Sequence, residues 1–89
     1  MAAYPAEVVS LLTAKGFEYQ HAGGGCYAWE KRWHDRIAYV AADNPEQGMQ
    51  SSAAVQLMSL QGSLVDAQFF PTFREALQFA EERLSPPAG

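Results

Sequence analysis

The chain has one cysteine, Cys26, in 89 residues. A single thiol cannot form an internal disulfide, so the fold must be held by its core, and a reducing compartment suits it. Long apolar runs are also missing. No stretch approaches the roughly 18 residues needed to cross a bilayer. The start, MAAYPAEVVSLLTAKG, has neither a basic segment nor a long apolar one, so it does not read as a signal peptide. These absences predict a soluble cytoplasmic protein with no membrane contact. Charge is sparse, at 18% of residues, and its balance is −4, which argues against nucleic acid as a partner because phosphate neutralisation dominates that affinity. No acidic run exceeds the pair Glu81-Glu82, so there is no acidic tail either. His21, Cys26, His34 and Asp35 are the one grouping of metal-ligating types, and their spacing is not that of a zinc site. We expect no metal and no cofactor. What is present is a 48% apolar content, enough for one modest core of marginal stability.

The pattern predicts a single α+β domain over 1–84 and a loose tail over 85–89, where Pro86 and Pro87 stop any helix. Pro5 suits a first helical turn, and Gly16 suits the position after a helix end. Tyr4, Val8, Leu11, Leu12 and Lys15 recur at helical spacing, which predicts a helix over Pro5–Lys15. Alternation predicts strands over Phe17–His21, Cys26–Arg32 and Arg36–Ala42, a loop over 43–52, and a hairpin of Val55–Leu60 with Leu64–Phe70. Thr72 and Glu75 form a T-x-x-E capping box, followed by the stripe Phe73, Ala76, Leu77, Ala80, Leu84. Helix, four to five strands, helix, with short connections, implies an antiparallel meander with both helices on one sheet face.

The stretch HAGGGCYAWEKRW invites three readings. A phosphate loop needs glycines that enter a helix, and these enter a strand-patterned segment. A His21–Cys26 dyad, which could lower the thiol pKa, needs a register that pairs Phe17 with Glu30. The register that pairs Phe17 with Trp29 and Tyr19 with Tyr27 joins aromatics across the strands instead, and it sends Cys26 to the face away from His21. We therefore expect a plain hairpin turn, with Cys26 as a small packing residue.

No nucleophile, base or carboxylate pair assembles, so the sequence predicts no enzyme. His34-Asp35 suits a hairpin turn. The basic cluster Lys31-Arg32-Trp33-His34-Asp35-Arg36, with Trp29 beside it, could stack on single-stranded bases. It also reads as a solvated tip whose cationic side chains cover the indoles. Two features suit partner binding. Phe79 lies about 120° from the α-helical stripe, beside Glu75 and Glu82. The strands are also apolar on both faces: Ile37, Tyr39 and Ala41 alternate with Ala38, Val40 and Ala42, and Leu64 and Phe70 with Val65, Ala67 and Phe69. Two helices cover one face, so the other is left open to a partner or to self-association as a homodimer.

LLTAKGFEYQHAGGGCYAW and FPTFREALQFAEERL resemble a type of small uncharacterised protein of proteobacterial phages and plasmids, with a Gly-Phe helix end, a GGGC turn and a capped final helix. The resemblance implies a mobile-element accessory protein that binds host machinery, and it carries no catalytic residue. The element order is also similar to that of a double-stranded-RNA-binding domain. The lysines such a domain carries at the start of its last helix are replaced here by Pro71-Thr72-Phe73-Arg74-Glu75.

The expectation is a non-catalytic protein–protein interaction module. Its partner-binding residues would be Trp33, His34 and Arg36 at the tip and Phe79, Glu75 and Glu82 on the last helix. In its sharper form it inhibits a host nucleic-acid-binding defence complex. The alternative is a weak single-stranded nucleic-acid binder through the Trp29–Arg36 tip.

Overall fold

The computed structural model describes residues 4–23 and 26–84, with side chains for 4–20 and 28–84. Helix α1 spans Ala6–Ala14 and α2 spans Phe73–Leu84. Between them lie β1 (Glu18–Gly23), β2 (Cys26–Trp33), β3 (Arg36–Ala42), a 3-10 segment (Pro45–Gln50), β4 (Ala53–Ser59) and β5 (Leu64–Phe70). The strands form one antiparallel meander in chain order, β1-β2-β3-β4-β5. Val8 and Leu12 of α1, the apolar stripe of α2, and Trp29, Ala38, Val40, Ala53, Val55 and Leu57 of the sheet share one buried cluster. Both helices therefore cover one sheet face, as the alternation predicts.

The end of α1 explains the first departure from expectation. Gly16 takes φ +90°, its N–H reaches the Thr13 carbonyl at 3.0 Å, and the Phe17 N–H reaches the Leu12 carbonyl at 2.9 Å. This is a Schellman motif, with its apolar contact between Phe17 and Leu12, both buried. Phe17 thus belongs to the helix end rather than to a strand pair. Tyr19 takes its place opposite Trp29, and His21 pairs with Tyr27. The expected Phe17–Trp29 register is displaced by two residues, which keeps each side chain on its assigned face. Gly23 pairs with Cys26 after an irregularity. The turn at residues 24 and 25 and the side chains of His21 and Cys26 lie outside what the structure describes, as does the tail over 85–89. The backbone register does not place His21 opposite Cys26.

Three smaller corrections follow. The helix begins at Ala6, with Pro5 as its N-cap and the Pro5 carbonyl accepting the Val8 and Val9 N–H groups. The 43–52 loop contains the 3-10 segment, whose Gly48 is buried against Pro5 and Val8. In β5 a bulge intervenes between the pairs Leu57–Asp66 and Met58–Leu64. It breaks the simple alternation, so Leu64 joins Met58 rather than sharing a face with Phe70. The expected capping contact is present: the Glu75 N–H donates to Thr72 Oγ1 at 3.2 Å.

Candidate interaction surface

Cross-strand pairing defines the uncovered face. Glu18 is paired with Glu30, Glu30 with Tyr39, Tyr39 with Gln56 and Gln56 with Ala67. The neighbouring row runs Arg32, Ile37, Met58. A further row contains Ala41, Ala54 and Phe69. The middle of this face is apolar and its β1–β2 side is charged. Phe69 is the most exposed large apolar residue described, at 83%. Ile37 is buried even on this side, at 7% exposure. Tyr39 is half-buried between the two zones. Burial pushes its phenol above the ordinary value, the Glu30 hydrogen bond and negative charge push the same way, and Arg32 opposes them.

Glu18 and Glu30 stand directly opposite each other across β1 and β2. Like charges so placed disfavour the pairing. The Gln20 amide donates to Glu18 Oε2 at 3.0 Å, and Arg32 lies along the strand from Glu30.

The residues singled out from the sequence fall into two groups. At the β2–β3 turn, Trp33 pairs with Arg36 across the strands. His34 takes φ +53° in the turn, as the first central residue of a primed hairpin turn does. Trp33 is 43% exposed, and its ring meets the His34 ring edge-on at 4.9 Å between centroids. On α2, Glu75 and Glu82 are exposed. Phe79 is half-buried: its ring stacks on Phe70 at 5.1 Å and lies under the Arg83 guanidinium at 5.2 Å. It seals the edge of the core rather than standing free.

The tip also loses one aromatic. Trp29 is 4% exposed and packs against Tyr4 and Tyr19 in the core. Lys31 is spent on the core side, with its ammonium 5.6 Å from the Phe17 ring centre. Arg32, paired with Ile37, faces the opposite side from Lys31, paired with Ala38. The cations of the basic cluster are therefore divided between two faces. The alternation of β5 places Ala67 and Phe69 on one face, and the bulge moves Leu64 onto that face as well.

Between α1, the 3-10 segment and α2 runs a groove of about 530 Å³ that includes Leu11, Met49, Leu77 and Arg74. Lys15 and Glu81 bridge it at 3.1 Å. Among the described residues no grouping of His, Cys, Asp and Glu could hold a metal ion, and no helix is long and apolar enough to cross a membrane. No protein-family model, no curated protein and no solved structure matches this chain.

Proposed function

We propose that this chain is a non-catalytic protein-binding module that works through its uncovered sheet face. The observation that carries the reading is the apolar zone of that face, from Met58 and Ala54 to the 83% exposed Phe69. Exposed contiguous apolar surface on a small domain marks contact with another molecule. The charged margin adds the chemistry of the partner. Glu18 and Glu30, opposed and partly uncompensated, fit a protein whose apolar patch is flanked by Lys or Arg. Trp33 extends the contact at the tip. In its sharper form the partner is a host nucleic-acid-binding defence complex whose cations the carboxylates answer; the net charge of −4 supports this.

The test is capture of partners from a proteobacterial lysate by the tagged chain, with and without nuclease, using wild type, Tyr39→Ala and Trp33→Ala. A stoichiometric protein that survives nuclease and is lost with the Tyr39 and Trp33 variants supports the reading. A catch that vanishes with nuclease would move binding to the basic tip and to nucleic acid. The observations favour the first outcome, since Trp29 is buried and the tip cations are split between faces.

A further inference from the structure

Strand β5 is one of the two edges of the sheet, and its exposed groups are unevenly placed. Of the eight large apolar side chains exposed among the described residues, four lie on β5 or in the turn before it: Leu60, Leu64, Val65 and Phe69. The backbone of this edge has a direction that can be derived. The Ser59 N–H donates to the Ser63 carbonyl at 2.8 Å, and the Ser59 carbonyl accepts the Gly62 N–H at 3.0 Å. Ser59 therefore turns its backbone groups toward β5. Along β4 the direction alternates, so Leu57, Val55 and Ala53 do the same. Their partners Asp66, Gln68 and Phe70 turn inward to meet them. This leaves the N–H and C=O groups of Ala67 and Phe69 directed outward from the sheet. The Ala67 N–H agrees: it donates to Asp66 Oδ1 at 2.8 Å.

We infer that β5 pairs antiparallel with β5 of a second copy of this chain, about a two-fold axis through Gln68. In that register Ala67 of each copy lies opposite Phe69 of the other. The outward donors and acceptors of both residues are then matched in both copies, giving four backbone hydrogen bonds. Gln68 faces its own copy, where two amides can each donate and accept. No carboxylate meets a carboxylate, whereas an axis through Asp66 would oppose two. An axis through Ala67 would call on Val65, at the bulge that interrupts the strand. On the uncovered face the axis sets Ala67 of each copy beside Phe69 of the other, a small residue against the flank of the aromatic ring, whose outward side stays on the sheet surface. The partner's Phe69 carbonyl takes the Ala67 N–H from Asp66, which keeps its 3.0 Å bond from Arg83. Unpaired edges are templates for such pairing, and the isologous two-fold arrangement closes rather than growing into a filament. The inference concerns the edge of the sheet and stands whether or not a foreign protein binds its face.

The test is sedimentation of the purified full chain across concentrations, with two further probes. Wild type should show twice the mass of one chain. Ala67→Pro removes an outward N–H without touching the β4 ladder, and edge positions of this kind tolerate proline; it should sediment as a monomer with unchanged circular dichroism. Phe69→Lys, at a side chain already in water, should do the same and serves if the proline variant does not fold. In a Cys26→Ala background, Gln68→Cys should cross-link on mild oxidation. A non-hydrogen-bonded pair sets its Cα atoms about 4.5 Å apart, inside the roughly 4.4–6.8 Å range of disulfides. Ala67→Cys should not cross-link. A monomeric wild type, a folded Ala67→Pro chain that stays dimeric, or cross-linking through position 67 in place of 68 would overturn the inference.

Discussion

The hydroxyl oxygen of Tyr4 accepts the backbone N–H of Ala42 at 3.1 Å, tying the residue before the α1 N-cap to the last residue of β3. The Tyr4 ring meets Trp29 edge-on at 5.5 Å and Phe73 at 5.8 Å, so one side chain links both helices to the sheet. Burial raises its phenol above the ordinary value; the Ala42 N–H opposes that shift. The indole N–H of Trp29 acts in the same sense as Ala42, yet it does not reach hydrogen-bond geometry and is buried without an acceptor among the described residues.

Tyr4→Phe keeps the ring contacts and removes the acceptor. It should cost about 1 kcal/mol in urea unfolding. The pH dependence carries a second signature. The folded state raises the pKa of Tyr4 and of Tyr39, so it holds their protons more tightly than the unfolded chain does. Their contribution is fully present below the unfolded value of about 10 and is lost as pH rises through the folded values. Stability should fall in that alkaline window, and less steeply in Tyr4→Phe.

Trp29 combines a large buried ring with an unmatched donor. Trp29→Ala should cost about 3–5 kcal/mol, as large-to-small core changes do. Trp29→Phe loses part of the packing but also removes a buried unsatisfied N–H, itself worth about 1–3 kcal/mol of penalty. It should cost less than half as much as Trp29→Ala. Equal losses for the two variants in chemical unfolding would show that the indole N–H has a partner in solution.

Among the described residues, three glycines with positive φ form a graded series. Gly62, at φ +91°, faces open space. Gly16, at φ +90°, would place a Cβ 3.7 Å from Lys31 Cε, an ordinary contact. Gly48 combines φ +61° and ψ −132° with contacts of 3.4 Å to Pro5 and Val8. Alanine at the first two should cost about 1–2 kcal/mol of backbone strain. Gly48→Ala should cost most, because the 3-10 segment must also move away from α1. Thermal midpoints of the three variants check the order.

Glu18 opposite Glu30 is a local cost within the sheet. Glu18→Lys should stabilise the chain by about 0.2–1 kcal/mol, and added salt should shrink the gain. If this margin meets a basic partner, the same substitution should weaken that binding. Gains in stability at the expense of function are the usual mark of a site held for recognition.

Much of this architecture was legible because periodicity is a strong signal. The α2 stripe from Phe73 to Leu84 predicts which of its side chains are buried, and the alternation of β3 assigns its residues to two faces. The first-hairpin register was harder, since Phe17 satisfies both a strand pattern and a Schellman contact, and only the helix end decides between them. A shift of two residues leaves the faces intact, so the layer arrangement survived the wrong pairing. The burial of Trp29 depends on Tyr4 and Tyr19 closing over it from different elements, which no local pattern records. The β5 bulge had no sequence marker, and with it went the true face of Leu64. Helical angle sets Phe79 apart from the α2 stripe, and its half-burial follows from Phe70 reaching it from the sheet, a contact no local pattern records. The 3-10 segment is short, and its Gly48 reads as loop until Pro5 and Val8 are known to cover it.

The central claim is that the uncovered sheet face recognises a protein. The most direct measurement is capture by nuclease-treated wild type compared with Tyr39→Ala, a substitution on that face and away from the β5 edge. Wild type should retain a protein in stoichiometric amount and the variant should lose it, with the fold of both unchanged. Retention of that protein in equal amount by both would contradict it.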